Sequence, residues 1–182
     1  MSTTATQPIS GVSADKENVS MIVYPSMAAT GLGRLLGNLL ESIPLKINGI
    51  KLSHLLFPLP ASPIALKIYF LMKVCGQRYV LTNRSMQIWR CRLWRIVFFD
   101  FSGDKLESEV PLADVEDVVL HQSSGQVFYK ASDLSLLGAD GKLLLQLDGI
   151  PNAEVFRQTL LKARDARRQV QASLETIAAR ES

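Results

Sequence analysis

The chain has 182 residues, 47% of them apolar, with 20 Lys and Arg against 17 Asp and Glu for a formal charge of +3. That is enough apolar material for the core of one domain, and so small a net charge does not by itself point to nucleic acid. The two cysteines, Cys75 and Cys91, are too few for a secreted disulfide framework and fit a reducing cytosol, and no His/Cys grouping has metal-ligand spacing.

Residues 1–20 lack the basic patch and apolar core of a signal peptide and read as a disordered tail, because their small polar side chains cannot bury enough surface to fold. From Met21 to Glu41, Leu32, Leu35, Leu36, Leu39 and Leu40 recur at helical spacing. The pattern predicts an amphipathic helix that must lie on something, since each interior glycine costs roughly 1 kcal/mol against alanine. The glycines of GLGRLLG, 31–37, fit no nucleotide fingerprint and read as helix-packing positions. A lysine-bearing link, 42–54, leads into Leu55–Val74, whose 20 residues match the thickness of a bilayer core. Pro58, Pro60 and Pro63 break its first half, so the expected helix runs from Ser62 as N-cap to Cys75, roughly 21 Å long. That is short for a span, and Lys67 and Lys73 fall on different faces. Two expectations stand ahead of a true span: a segment dipping into lipid with its lysines reaching the headgroups, or a helix buried against the domain or a partner.

After Gly76 the period changes from helical to alternating. Tyr79, Leu81, Met86 and Ile88 point one way about an Asn83-Arg84 turn, which predicts a hairpin. Residues 92–104 predict a further strand, another enters Val110, and Pro111 belongs at a strand start or edge. A strand follows from Val115 to His121, where Asp114, Glu116 and Asp117 read as solvated edge charges and not as catalytic acids. Short strands are expected at Val127–Lys130, Leu134–Leu137 and Lys142–Leu147, with Asp140-Gly141 as a hairpin turn. From Pro151-Asn152 the period is helical again, with Val155, Phe156, Thr159, Leu160, Ala163, Ala166 and Val170 in one apolar stripe. The expected fold is mainly β with α: an antiparallel β-barrel or sandwich capped by a C-terminal amphipathic helix and preceded by an apolar helical segment. Its divisions are a tail over 1–20, the apolar segment over 21–75, the β domain over 76–170 and a helix end over 171–182.

Three stretches carry a resemblance. RYVLTNRSMQIW (78–89) resembles the opening hairpin of the bacterial PH-domain (pleckstrin-homology-like) family, VPLADVEDV (110–118) its next signature, and LDGIPNAEVFRQTL (147–160) its junction into the C-terminal helix. The resemblance covers about 78–165 and implies a PH-like fold, a form used for lipid and peptide binding. It also implies a hydrophobic, often membrane-inserted segment before the Tyr-x-Leu-Thr strand, where residues 55–75 stand.

Between Glu41 and Asp100 there is no acid, while Lys46, Lys51, Lys67, Lys73, Arg78, Arg84, Arg90, Arg92 and Arg95 give residues 42–99 a charge of +9 and leave +3 − 9 = −6 for the rest. Tryptophan prefers the membrane boundary, and each Lys or Arg near an anionic surface contributes about 1 kcal/mol. The expected contact set is therefore Lys67, Lys73, Arg78, Arg84, Arg90 and Arg92 with Trp89 and Trp94. Leu55, Leu56, Phe57, Ile64, Leu66, Ile68, Phe70 and Leu71 would supply apolar insertion. The expected function is a non-catalytic binding module, without metal, cofactor or nucleic acid, on an anionic membrane at the cytoplasmic face. The alternative is an oligomerising protein–protein scaffold with residues 21–75 buried in a self-interface.

Overall fold

The computed structural model describes residues 17–44, 46–47, 50–90 and 104–181. Strand β1, Val19–Val23, is β-branched and extended, and Pro25 bars a helix from running through it. A 3-10 turn at Met27–Ala29 leads to helix α1, Gly31–Glu41, whose N-cap Thr30 accepts the Gly33 amide through its hydroxyl. The helix expected from Met21 thus begins ten residues later. Val19 and Ser20, assigned from sequence to the tail, and Met21–Val23, assigned to a helical segment, are sheet residues instead. Two-residue strands β2, Lys46–Ile47, and β3, Ile50–Lys51, precede helices α2, Leu52–Leu56, and α3, Pro58–Cys75.

Helix α3 is longer than the prolines suggest. Pro58 and Pro60 fall in its first turn, where an amide has no intrahelical acceptor to lose, so only Pro63 removes a bond. The Ala61 amide reaches the Phe57 carbonyl at 3.0 Å, inside that proline-bearing turn. Its 18 residues extend about 27 Å. No described helix is long and apolar enough to cross a membrane.

Strands β4, Gln77–Thr82, β5, Ser85–Arg90, and β6, Lys105–Pro111, form a meander, and β1 adds antiparallel to β4 to give a four-stranded sheet in the order β1-β4-β5-β6. The hairpin turn at Asn83-Arg84 stands where the sequence places it, and Pro111 ends an edge strand. The further strand expected within 92–104 lies outside the described residues apart from Asp104. A 3-10 turn, Leu112–Asp114, carries the chain into the second sheet, β7-β8-β9, formed by Asp117–His121, Ala131–Leu137 and Leu143–Pro151. Both large sheets are antiparallel, and among the described residues they do not close into a barrel.

The strand expected at Val127–Lys130 is a correction. Ser124–Val127 is a single helical turn, α4, in which the Ser123-x-x-Gln126 pattern makes a capping box. The last element is helix α5, Ala153–Glu181. Phe156 and Leu160 are fully buried in the common core with Tyr79, Leu81, Met86, Leu112, Leu134 and Leu147, each side chain worth about 1.5–3 kcal/mol. Val155, placed in the same stripe from sequence, is exposed. Arginines fasten α5 to the edge of β7: Arg157 Nε donates to the Val118 carbonyl at 2.7 Å, Arg168 Nη2 to that of Val115 at 3.1 Å, and Arg164 to that of Glu116. The hydrogen bond from Arg168 also holds the exposed Glu116 carboxyl below the usual carboxylate range.

The glycines of α1 pack as their spacing implies. A Cβ on Gly37 would lie 2.1 Å from the Gly125 carbonyl oxygen, and one on Gly125 would lie 2.2 Å from that of Arg34, so α1 and α4 touch backbone to backbone. Beside this contact Asp133, almost fully buried, accepts from Arg34 Nη2 at 2.9 Å, Gln126 Nε2 at 2.6 Å and the Gly149 amide at 2.7 Å. Gly149 adopts φ +63°, and its carbonyl accepts the Ser26 amide at 2.8 Å. A Cβ there would meet the Ala29 backbone nitrogen at 2.5 Å. One bulge in β9 therefore ties the second sheet to the lead-in of α1.

Candidate functional site: an apolar helix beside a paired hairpin

The side chains of α3 divide by helical position. Ala61, Ala65, Ile68 and Met72, spaced four, three and four apart, turn toward the body, and Ile68 is buried to 7% exposure. Leu66 at 69% and Phe70 at 64% stand on the opposite side, with Ile64, Leu71 and Tyr69 also exposed. Lys67 and Lys73, six positions and so about 120° apart around the helix, flank the Leu66–Phe70 ridge. Lys73 Nζ stands 4.7 Å from the centre of the Tyr24 ring and 5.9 Å from that of Tyr69.

Of the predicted insertion set, then, Leu56, Ile64, Leu66, Phe70 and Leu71 are exposed, Phe57 is half-buried between α2 and α3, Leu55 lies in α2, and Ile68 faces inward. Leu32 and Leu35 of α1 are exposed as well. The leucine spacing alone puts them on the packed side of the helix with the other leucines. The glycine side of α1, with Gly33, Leu36 and Gly37, is the buried one, and the signal was the glycine spacing.

The hairpin arginines have partners that the linear sequence conceals. Arg78 of β4 is half-buried, its Nη2 2.9 Å from Asp104 Oδ2 and its guanidinium carbon 5.5 Å from the centre of the Trp89 ring. Arg90 grips Glu107 of β6 with Nη2 at 2.6 Å and Nε at 3.1 Å. Trp89 Nε1 donates to Gln87 Oε1 at 2.9 Å. Arg84 sits in the turn, its amide donating to Thr82 Oγ1 at 3.1 Å and its carbonyl accepting the Leu112 amide at 2.8 Å. Arg92 and Trp94 lie outside the described residues. A stretch without acids in sequence thus meets Asp104 and Glu107 in space, because β6 and the residue before it run antiparallel beside it.

Thr82, Ser85 and Gln87 form a buried polar cluster on the first sheet that sequence reading did not single out. Glu17 Oε1 receives Thr82 Oγ1 at 2.8 Å, Ser85 Oγ at 3.0 Å and Gln87 Nε2 at 3.2 Å. Asn18 and Asn83 exchange two further bonds of 3.0 Å. These polar anchors hold the first strand against the hairpin.

Tyr79 links the two sheets. Its hydroxyl donates to the Asp148 carbonyl at 3.1 Å and accepts the Asp148 amide at 3.0 Å. Burial pushes this phenol well above its ordinary range. Among the described residues no group of three or more His, Cys, Asp or Glu side chains is placed to hold a metal ion. No family model matches the chain, and no curated protein or solved structure matches it.

Proposed function

We propose that the chain is a non-catalytic, PH-like binding module that docks on an anionic membrane through the outward face of α3. The arrangement of four strands, three strands and a C-terminal helix supports the PH-like reading, as do the three sequence stretches that resemble that family. The observation that carries the docking is the Leu66–Phe70 ridge. Two large apolar side chains about two thirds exposed, on a helix apolar nearly all round, call for a non-aqueous neighbour. The flanking Lys67 and Lys73 select a bilayer with anionic headgroups, since their stems lie along apolar surface while their ammonium groups reach the interface. Tyr24 and Tyr69, amphipathic and exposed beside Lys73, suit the same boundary. The arginine hairpin contributes less than its sequence charge suggests, because Arg78 and Arg90 already hold carboxylates.

The test is flotation of the full chain with neutral and then anionic vesicles, at low and high salt. Flotation with anionic vesicles, weakened but not abolished by salt, is expected, since the apolar part of the contact is not screened. A chain that stays at the bottom throughout and sediments as a stable oligomer would remove the membrane and assign the α3 face to a second copy.

A further inference from the structure

Between α1, α3 and the start of β4 lies an open groove of about 440 Å³, within the roughly 300–1,000 Å³ of ligand clefts. Pro25, Ala29, Leu32, Ile68, Leu71 and Met72 make it largely apolar, and Thr30, Gln77, Arg90 and Asp148 supply its polar groups. Leu32 and Leu71 belong both to this wall and to the exposed apolar surface of α1 and α3. The groove therefore opens onto exposed apolar surface of both helices, around α3 from the Leu66–Phe70 ridge.

Its charges are specific. Glu107 takes Nε and Nη2 of Arg90, and among the described residues the two donors of the third guanidinium nitrogen have no partner. Asp148 is set in place through its backbone by Tyr79, and its Oδ1 accepts only the exposed Gln146 amide among the described contacts, at 2.9 Å. Arg90 and Asp148 are the charged residues of its lining, and since Glu107 already answers Arg90, the lining's unbalanced charge is the negative one of Asp148. A purely anionic headgroup would be disfavoured there, whereas one carrying a phosphate and an ammonium finds an opposite charge for each.

The geometry points to an amine-bearing phospholipid, taken from the leaflet on which α3 lies, with one acyl chain along the α1–α3 wall and its head at Arg90 and Asp148. This rests on the membrane reading above and divides the labour within it. The lysine-flanked ridge finds the surface, and the groove selects one lipid from it.

The experiment runs two measurements in parallel on the full chain: calorimetric titration with monomeric lysophosphatidylethanolamine, lysophosphatidylglycerol and palmitate, and flotation with anionic vesicles. Saturable one-to-one binding of lysophosphatidylethanolamine, at least about tenfold tighter than the other two, is expected. Met72→Trp, which fills the groove, should lose that binding while floating like wild type and keeping its circular dichroism and melting temperature. Asp148→Asn, which leaves the walls intact, should lose only the preference for the amine. No saturable binding in a protein that floats overturns the groove and leaves the docking face standing. Equal binding of all three probes overturns the headgroup assignment. Lysolipid binding without flotation removes the leaflet as the source and fails the membrane reading itself.

Discussion

Replacing Leu66 and Phe70 together by Ala should weaken vesicle binding without weakening the fold. Full burial of a leucine or phenylalanine side chain is worth about 1.5–3 kcal/mol. Leu66 and Phe70 keep 69% and 64% of their exposure, so about two thirds of that remains to be gained on docking. This gives roughly 1–2 kcal/mol each and about 2–4 kcal/mol for the pair, a fall of about 30- to 700-fold in partition at 1.4 kcal/mol per decade. The unfolding midpoint in urea should move little, because exposed substitutions are usually within about 0.5 kcal/mol. Ile68→Ala is the internal control: it sits on the same helix but faces the body, and should cost about 2–5 kcal/mol of stability. The assay is cosedimentation with anionic vesicles over a lipid titration, beside urea denaturation. Partition of the double variant within threefold of wild type, with its midpoint unchanged, would refute the assignment of this face.

Three further outcomes follow from the packing. Asp133→Ala leaves an amide side chain and a backbone N–H without their acceptor, while Arg34, a third exposed, keeps the Ala28 carbonyl; urea denaturation should show a loss of about 2–4 kcal/mol, and Asp133→Asn, which keeps an acceptor, should lose about half as much. Gly37→Ala drives a methyl group to 2.1 Å from a carbonyl oxygen and should lower stability by about 1–3 kcal/mol, despite the better helix propensity of alanine. Because the Tyr79 phenol is raised in the folded state, its contribution is complete below the ordinary tyrosine pKa of about 10 and is lost as pH rises beyond it, by about 1.4 kcal/mol per unit. Tyr79→Phe should flatten that part of the stability profile, and absorbance titration of the native chain should show one phenol resisting ionisation until unfolding.

The β elements were legible where the side-chain period is two and a turn residue punctuates it: the Asn83-Arg84 and Asp140-Gly141 hairpins and the core positions Tyr79, Leu81, Met86 and Ile88 stand where alternation puts them. Ser124–Val127 is helical where the apolar pair Val127-Phe128 predicts a strand, because the Ser123-x-x-Gln126 capping box closes a helical turn just before it. The start of α3 was misread because prolines were counted as breakers without regard to position in the first turn. The charge of the hairpin was legible as a sum but not as a surface. Which strand lies beside it, and hence that Asp104 and Glu107 answer Arg78 and Arg90, is fixed by pairing between segments that sequence spacing does not relate. The groove was not legible at all, since its walls come from α1 and its lead-in, α3, the ends of β4 and β5 and the middle of β9, residues separated by up to about 120 positions.

The pairing of β1 with β4 has a consequence in time. Asn18 and Asn83 stand 65 positions apart, and α1, α2 and α3 all lie inside the loop that this pairing closes. A chain made from its N-terminus has therefore finished its most apolar helix before the strand that completes the first sheet exists, and the closure of so long a loop is slow. During that interval α3 can reach the neighbours already made, α1 and the 3-10 turn at Met27–Ala29, while the surfaces that fix those two in place, α4 and the Gly149 bulge of β9, do not yet exist. The nascent chain meets a membrane or a chaperone with its apolar helix on a platform not yet anchored.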